Sequence, residues 1–354
     1  MTARVVLALA LASLGGCAIT RTYYGEPLPL DAEVLVAHTA DGVDIPVIHY
    51  QAVGAKKPVP ILFLHGISAN ARHMDLDAEH SLARWFAARG YETFSMSLRN
   101  TLDELLPESA HRADPKNTNF DTYSLYDLPA AIALVKAKTG ASEVDFVGHS
   151  MGGMTLYAYL ARGGGSIHAA VVLGSPTRLR LGSRIEPFIL HQGETVLKGV
   201  DVVPNAALAD LVVPLTGTVN SPVDDLVINL ENADVATWQK MEAIGTGDLA
   251  GGVLRQFVKC IADDKLESAD GSIDYLAALH DVKVPTLVVA GKADHIGLAQ
   301  SVKAGYDALG GEKKFFVAGV ENGFARDYGH CDLTVGERAP YEVYPLIRRW
   351  FEQH

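Results

Sequence analysis

The sequence predicts an α/β protein in which a mostly parallel, doubly wound sheet carries an inserted, mainly helical cap. Short and continuously apolar runs such as Pro60–Leu64 and Val284–Ala290 alternate with amphipathic helical patterns. Strands buried on both faces of a parallel sheet have this character. The alternation stops near Pro176 and resumes after His280, so an insertion of about a hundred residues interrupts the sheet.

The elements follow one another in a regular order. Glu33–His38 and Ile45–Tyr50 predict a hairpin around Ala40-Asp41-Gly42. Further strands are predicted at Pro60–Leu64, Tyr91–Ser97, Val144–Val147, His168–Leu173, Val284–Ala290 and Lys314–Ala318. Helices are predicted near Glu79–Arg89, Tyr126–Lys138, Met154–Leu160, Leu298–Leu309 and Pro340–Glu352, and Leu98–Thr118 is a long polar connection.

These patterns divide the 354 residues into five segments. We predict an N-terminal signal peptide at 1–17, a tether at 18–32, the first part of the sheet domain at 33–176, the cap at 177–280 and the second part of the sheet domain at 281–354. A hydrophobic content of 48% indicates a globular chain. The net charge of −12 excludes nucleic acid as an expected partner.

The N-terminus resembles a bacterial lipoprotein signal peptide. Arg4 precedes a short apolar run, which ends in Leu14-Gly15-Gly16-Cys17. The resemblance implies cleavage before Cys17, a lipid on its thiol and a location in the bacterial cell envelope. Ala18, where Asp is associated with the inner membrane, favours the outer membrane. The alternative is an ordinary secretory signal with a coincidental cysteine.

Cys260 and Cys331 are the cysteines that follow Cys17. An oxidising envelope would permit a disulfide between them, although two buried free thiols are the simpler expectation. Neither has other Cys or His residues at metal-ligand spacing, so we predict no metal site and no cofactor.

Gly148-His149-Ser150-Met151-Gly152 lies between a predicted strand and a predicted helix. In this context Gly-x-Ser-x-Gly is a nucleophile elbow, whose glycines permit a sharp turn that exposes the serine. Ser150 is therefore the candidate nucleophile. The alternative is a chance pentapeptide in a glycine-rich chain.

A serine nucleophile needs a base and a residue that orients the base. Asp294 follows the apolar strand Val284–Ala290 and is the candidate acid, with a helix N-cap as its alternative role. His330, after the last strand, is the candidate base. His295 is adjacent to the acid, and His149 lies within the elbow, so both are poorer candidates.

Two backbone N–H groups should form an oxyanion hole. The amide of Met151 begins the helix after Ser150 and supplies one of them. The loop His65-Gly66-Ile67 follows the strand Pro60–Leu64, and we expect the amide of Ile67 to supply the other.

Four motifs resemble those of the α/β-hydrolases, and more closely those of the acid lipases and the polyhydroxyalkanoate synthase-like hydrolases. The motifs are His65-Gly66-Ile67, Tyr126–Ile132, Gly148–Gly153 and Tyr328–Leu333, and the resemblance covers about Pro58–Pro176 and Val284–Phe351. Two departures are visible. The polyester synthases use Cys at the elbow where this chain has Ser150, and the acid lipases carry Arg-Gly where it has Arg99-Asn100.

The resemblance and the candidate residues imply hydrolysis of carboxylic esters through a Ser150–Asp294–His330 triad and an acyl-enzyme. The substrate would be a small-molecule or lipid-like ester. Alternatives are an acyltransferase with the same triad and a non-catalytic envelope lipoprotein. Apolar clusters of the cap, Phe188–Leu190, Leu211–Val213 and Leu226–Ile228, would either pack the cap or line an acyl channel, and packing is the simpler expectation.

Overall fold

The structure is a computed structural model that describes residues 20–179, 197–216 and 224–354. Its strands are β1 (Glu33–His38), β2 (Asp44–Tyr50), β3 (Ile61–Leu64), β4 (Thr93–Met96), β5 (Val144–His149), β6 (Ile167–Leu173), β7 (Val202–Val203), β8 (Leu249–Ala250), β9 (Thr286–Gly291) and β10 (Lys313–Ala318). Each strand expected in the sheet forms within two residues of its predicted bounds.

One eight-stranded sheet has the order β1-β2-β4-β3-β5-β6-β9-β10. Strand β2 runs antiparallel to both β1 and β4, and the pairs from β4 to β10 are parallel. The mostly parallel sheet is therefore confirmed. Its carboxyl edge is the edge where parallel strands of such sheets deliver side chains to a ligand site.

The helices are α1 (Leu82–Ala87), α2 (Phe120–Thr122), α3 (Leu128–Thr139), α4 (Met151–Ala161), α5 (Asn205–Val212), α6 (Asp224–Val227), α7 (Val235–Lys240), α8 (Gly251–Asp263), α9 (Tyr275–Ala278), α10 (Ala299–Ala308), α11 (Asp332–Val335) and α12 (Val343–Phe351). Short 3₁₀ turns include Ala71–Met74 and Val213–Leu215, and π-helical turns cover Tyr123–Asp127 and Met241–Gly245. Helix α4 begins directly after Ser150, three residues before its predicted start.

Apolar clusters cover both faces of the sheet, because successive side chains of a strand point to opposite faces. Leu62 and Leu64 of β3 belong to the cluster that contains residues of α3, α4 and α10. Ile61 and Phe63 belong to the cluster that contains residues of α1 and α12. The sheet is thus doubly wound, and its central strands hold the carboxyl edge in a fixed position.

Between β6 and β9 the described chain forms helices α5–α9 and a two-stranded antiparallel sheet of β7 and β8. A third apolar cluster joins this segment to the sheet domain, with Val213 and Ile228 packed in the same cluster as Cys331 and Val335. Leu211 and Val212, by contrast, are exposed. Packing thus explains part of two predicted apolar clusters, and Phe188–Leu190 lies outside the described residues.

Residues 20–32 do not hang away from the protein, although the sequence suggested a tether. Tyr24 packs on the apolar cluster shared by the cap, and Leu28 packs on the sheet domain. The Arg72 guanidinium donates a hydrogen bond to the Glu26 carbonyl over 2.8 Å, and Arg21 forms an ion pair with Glu104. Apolar side chains within the segment explain why it is packed down.

In the described residues, no helix is long and apolar enough to cross a membrane. Cys260 and Cys331 are both free and buried.

Candidate active site

The turn between β5 and α4 places Ser150 in a strained backbone conformation, with φ 53° and ψ −121°. Two close approaches explain the glycines on either side of it. A Cβ at Gly148 would lie 2.5 Å from the backbone N of Gly153, and one at Gly152 would lie 2.3 Å from the Leu64 carbonyl oxygen. Neither position has room for a side chain, so the sequence motif follows from the packing of α4 on the sheet.

Ser150, His330 and Asp294 form one hydrogen-bonded chain. His330 Nε2 lies 2.8 Å from Ser150 Oγ, and His330 Nδ1 lies 2.8 Å from Asp294 Oδ2. All three residues are buried, each with an exposed fraction of 4%. The structure thus brings together the three residues that the sequence nominates as nucleophile, base and acid. A carboxylate on Nδ1 leaves the Nε2 lone pair free to take the serine proton.

The Asp294 carboxylate is held from its other side. Its Oδ1 accepts hydrogen bonds from the amides of Ile296 at 2.8 Å and Gly297 at 2.7 Å. Asp294 therefore forms a local turn before α10, and its second oxygen reaches His330. It is not the helix N-cap that the alternative interpretation expected, because Leu298 holds that position without a side-chain capping hydrogen bond. A Cβ at Gly174, where φ is +56°, would lie 3.2 Å from Asp294 Oδ2 and 3.3 Å from His330 Nδ1.

The loop that carries His330 is anchored to both domains. His149 Nε2 donates to the His330 carbonyl over 3.0 Å. The Asp332 carboxylate accepts from the amide of Gly329 and from the side-chain amide of Asn232, both over 2.8 Å, and the Cys331 amide donates to the Val227 carbonyl over 2.9 Å. The cap residues Val227 and Asn232 thereby help to hold the base in place.

The loop after β3 lies against the nucleophile. A Cβ at Gly66 would lie 3.0 Å from Ser150 Cβ, and Ile67 lines the same cavity as Ser150. Met151 is the first residue of α4, where the helix dipole favours negative charge. The Ile67 amide has no acceptor among the turn and loop backbone hydrogen bonds of the described residues, and the Met151 amide is the first of α4, where helix N–H groups have no partner within the helix. Both predicted amides are thus beside the nucleophile and available to an oxyanion.

The side chain of His65 fixes the peptide between Gly66 and Ile67, a role that sequence reasoning did not assign. The Leu98 amide donates to His65 Nε2 over 3.1 Å, so the ring proton lies on Nδ1 and is donated to the Gly66 carbonyl over 2.8 Å. In a trans peptide the C=O and the N–H point in opposite directions. Holding the Gly66 carbonyl therefore also fixes the direction of the Ile67 N–H.

Buried histidines surround the site. His73 stacks on His149 with ring centroids 5.1 Å apart, and His73 Nε2 lies 2.8 Å from Thr334 Oγ1. Burial lowers the pKa of His65 to about 4 and that of His73 to about 3, with the neighbouring His65 and His330 lowering the pKa of His73 further. Burial also holds the pKa of His149 well below its usual value. These rings are neutral, so they add no positive charge beside His330 at pH 7.

Ser150 and His330 open into a cavity of about 320 Å³ between the sheet domain and the cap. Its lining includes the apolar side chains of Ala209, Val227, Trp238, Met241 and Ile296. This volume is near the lower end of the range for small-molecule sites. Val227 comes from a cap cluster that the sequence left between packing and lining, and here it lines the cavity.

The sequence also singled out His295, the Arg99-Asn100 pair and Cys17. His295 is exposed, as expected for a residue that cannot turn back onto its neighbour. Asn100 stands where the acid lipases have Gly. It adopts φ 67°, a conformation that glycine favours and asparagine tolerates, so the loop backbone has a conformation that Gly could also adopt. Cys17 lies outside the described residues.

Comparison with known proteins gives the class of fold. Residues 59–224 match the family model described as alpha/beta hydrolase fold. An esterase from Thermogutta terrifontis superposes with a TM-score of 0.59 at 16% identity, covering 91% of this chain and 98% of that one. An esterase from Exiguobacterium antarcticum superposes with a TM-score of 0.57 at 14% identity, covering 90% and 100%. The chain has the α/β-hydrolase fold, and residues 59–224 are similar to the family of that name.

Two proteins are similar to this chain in sequence. The poly(3-hydroxyalkanoate) polymerase subunit PhaC of Haloarcula marismortui is 22% identical, with 97% of this chain and 74% of that protein aligned. Human lipase member K is 32% identical over 115 residues, which are 30% of this chain and 28% of that lipase. The alignment with the polymerase subunit covers nearly the whole chain at low identity, and the alignment with the lipase covers less than a third of it.

Proposed function

We propose that the protein is a serine hydrolase that cleaves carboxylic esters. The observation that carries this proposal is the buried chain from Ser150 through His330 to Asp294, with 2.8 Å at each link. A serine in a strained turn, an imidazole within hydrogen-bond reach and an oriented carboxylate are the groups that acyl transfer needs. The apolar cavity beside them suits the acyl part of an ester.

In the first half of the reaction, Ser150 Oγ attacks the ester carbonyl carbon while His330 Nε2 takes the serine proton. Asp294 keeps the ring proton on Nδ1 and stabilises the imidazolium. The amides of Ile67 and Met151 donate hydrogen bonds to the oxyanion of the tetrahedral intermediate. His330 then gives its proton to the departing alcohol, and the acyl group stays on Ser150.

In the second half, His330 takes a proton from a water molecule, whose oxygen attacks the acyl carbon. The same two amides stabilise the second oxyanion. Collapse of this intermediate breaks the bond to Ser150 Oγ, which recovers its proton from His330. The products are the carboxylic acid and the alcohol, and the enzyme is unchanged.

The first test is turnover of nitrophenyl esters from acetyl to palmitoyl by protein lacking residues 1–17. Ser150→Ala should abolish turnover and labelling by a fluorophosphonate. Ser68→Ala removes a second serine of the same cavity and should keep the labelling. The preferred acyl length would measure the usable cavity. Equal rates for wild type and Ser150→Ala on each ester would contradict the proposal.

Acyl transfer to an alcohol is the second candidate, favoured by the similarity to a polymerase subunit along 97% of this chain. The same acyl-enzyme would form, and an alcohol would replace water as the acceptor. Adding alcohols to the assay separates the two reactions, because a transferase would make a new ester faster than free acid. A protein that neither turns over esters nor reacts with a fluorophosphonate would instead be a non-catalytic envelope lipoprotein.

We further propose that the protein is anchored in the bacterial envelope, in the outer membrane, through a lipid on Cys17. The support is the sequence Leu14-Gly15-Gly16-Cys17 after a short apolar run, with Ala18 following. Growth with labelled palmitate should label the wild-type chain and leave Cys17→Ser unlabelled. Equal labelling of the two chains would exclude this site of attachment.

A further inference from the structure

Helix α5 and the 3₁₀ turn after it present an apolar surface to the outside of the protein. We define the α5 outer face as Leu208, Leu211, Val212, Pro214 and Leu215. The side chains of Leu208, Leu211, Val212 and Leu215 are 50%, 45%, 48% and 59% exposed. Every exposed position between Asn205 and Leu215 is apolar. A helix surface in water normally carries polar residues at these spacings, so the α5 outer face indicates a binding surface.

The start of the described chain lies against the same helix. Thr20 Oγ1 donates to the Asp210 carbonyl over 3.5 Å, and Tyr23 nearby in the chain is 80% exposed. Cys17 is three residues before Thr20, a reach of roughly 10 Å at most. Lipid attached to Cys17 would therefore enter a membrane beside the α5 outer face. Tyr23 is of the residue type that favours the membrane interface.

The charge of the α5 outer face and of the whole chain indicates which kind of surface the α5 outer face would bind. Asp210 is the only charged residue between Pro204 and Thr216, and it is buried. The chain as a whole has a net charge of −12. Overall attraction to anionic lipid headgroups is thus disfavoured as the driving force, and so is contact between two such acidic chains. An apolar face without exposed charge suits insertion among the acyl chains at the boundary of a bilayer.

We propose that the α5 outer face docks on a phospholipid bilayer and orients the protein on the membrane. The inner face of the same helix supplies Asn205 and Ala209 to the cavity that contains Ser150. Docking through α5 would hold that cavity next to the membrane surface, where a lipid-like ester is available. The docking itself is independent of catalysis, but this use of it rests on the proposed ester hydrolysis.

The test uses the full chain, processed in a lipoprotein-producing bacterium and reconstituted in phosphatidylcholine vesicles. Val212→Cys carries an environment-sensitive NBD label in the α5 outer face. Val320→Cys, at an exposed position beyond β10, carries the same label as a matched control. The unsubstituted chain, treated identically, supplies the background from its own cysteines. Turnover of a soluble acetyl ester reports separately on the fold and on the proposed catalysis.

We expect the label at position 212 to shift to the blue and to be quenched by a nitroxide on the lipid tails, while the label at 320 stays as in water. Leu211→Asp should reduce the shift at 212 severalfold without changing acetyl ester turnover. Identical spectra at 212 and 320 would overturn the proposal. So would a blue shift at 212 that appears without vesicles and grows with protein concentration, because a second copy would then occupy the face.

Discussion

The side chain of His65 orients the peptide whose N–H would bind the oxyanion in the proposed reaction. Its ring accepts from the Leu98 amide and donates to the Gly66 carbonyl, so it connects the loop after β4 with the loop after β3. The peptide it holds carries the N–H of Ile67. An oxyanion hole works because its donors already point at the site of developing charge. In the proposed reaction, His65 would therefore act on the transition state through the backbone.

Substituting His65 tests this positioning role. His65→Ala leaves the Gly66–Ile67 peptide free to rotate, and we expect kcat to fall by up to ~10²-fold, since losing one oxyanion donor outright costs roughly 10²–10³-fold. KM should change little, because the donor acts mainly on the transition state. Ser150 should still react with a fluorophosphonate. His168→Ala, at the opposite edge of the sheet, is the control and should keep full kcat.

A parallel fall in kcat and in the free energy of unfolding would instead indicate that His65 only stabilises the loop. Refilling the position with Gln distinguishes these outcomes, since a Gln amide can also donate to the Gly66 carbonyl. Recovery of kcat in His65→Gln would support the positioning role. A His65→Ala variant that unfolds at the same denaturant concentration as wild type and keeps full kcat would contradict the positioning role.

At the scale of elements, the close contact between α4 and β3 fixes the position of the turn that carries Ser150. Gly152 lies so close to β3 that an added Cβ would be 2.3 Å from the Leu64 carbonyl oxygen and 2.7 Å from that of His65. Both atoms belong to the backbone, so they cannot be moved aside like the end of a flexible side chain.

Gly152→Ala should therefore displace α4 from β3. We expect the free energy of unfolding to fall by about 1–3 kcal/mol, as for other overpacked sites, together with loss of Ser150 labelling. Denaturant unfolding and fluorophosphonate labelling measure the two effects. Gly165→Ala is the matched control, because nothing lies within 4 Å of a Cβ at that position. Normal stability and labelling in Gly152→Ala would show that the contact can relax.

The strands and the nucleophile turn could be predicted from the sequence, whereas the hydrogen bonds that hold the site could not. Continuous apolar runs and the Gly-x-Ser-x-Gly motif identify the strands and the nucleophile turn, because burial and close backbone approach restrict those positions strongly. Asp294 and His330 are nominated by their places after late strands. The clamp of Asn232 on Asp332 has no such signal, because it joins residues far apart in the chain. His65 was visible as part of a turn, but its hydrogen bonds depend on the loop after β4.

The cap and the N-terminal segment are the parts that the sequence describes least well. Tyr24 and Leu28 lie in a stretch rich in turn-forming residues, so a tether was expected, but these two side chains pack down. Within one short run, Leu211 and Val212 are exposed whereas Val213 is buried. Hydrophobicity alone does not distinguish these three neighbours. The direction of α5 relative to the sheet does, and that direction is a property of the tertiary structure.

At the scale of the whole molecule, buried neutral histidines make stability depend on pH. The pKa of His65 is lowered to about 4 and that of His73 to about 3, whereas an unfolded histidine has a pKa of about 6.5. Between these values the unfolded chain binds more protons than the native one, so the free energy of unfolding falls as the pH falls below about 6.5. At pH 5 each ring should contribute a loss of about 2 kcal/mol.

Guanidinium unfolding at pH 7 and pH 5 measures this loss. His73→Gln keeps a hydrogen-bonding group near Thr334 but cannot be protonated, so the difference between the two pH values should shrink by about 2 kcal/mol. His295→Gln removes an exposed histidine and should leave the difference as in wild type. The same pH dependence in His73→Gln and wild type would mean that His73 is not neutral in the native protein at pH 5.

The hydrogen bonds of Val227 and Asn232 with the His330 loop join the cap to the candidate active site. A cap segment that swung outward would pull on the loop that holds the base. In the proposed reaction, substrate would therefore enter and product would leave while Val227 and Asn232 stay bound to the His330 loop. On heating, the protein should lose its cap and its activity together, in one cooperative step.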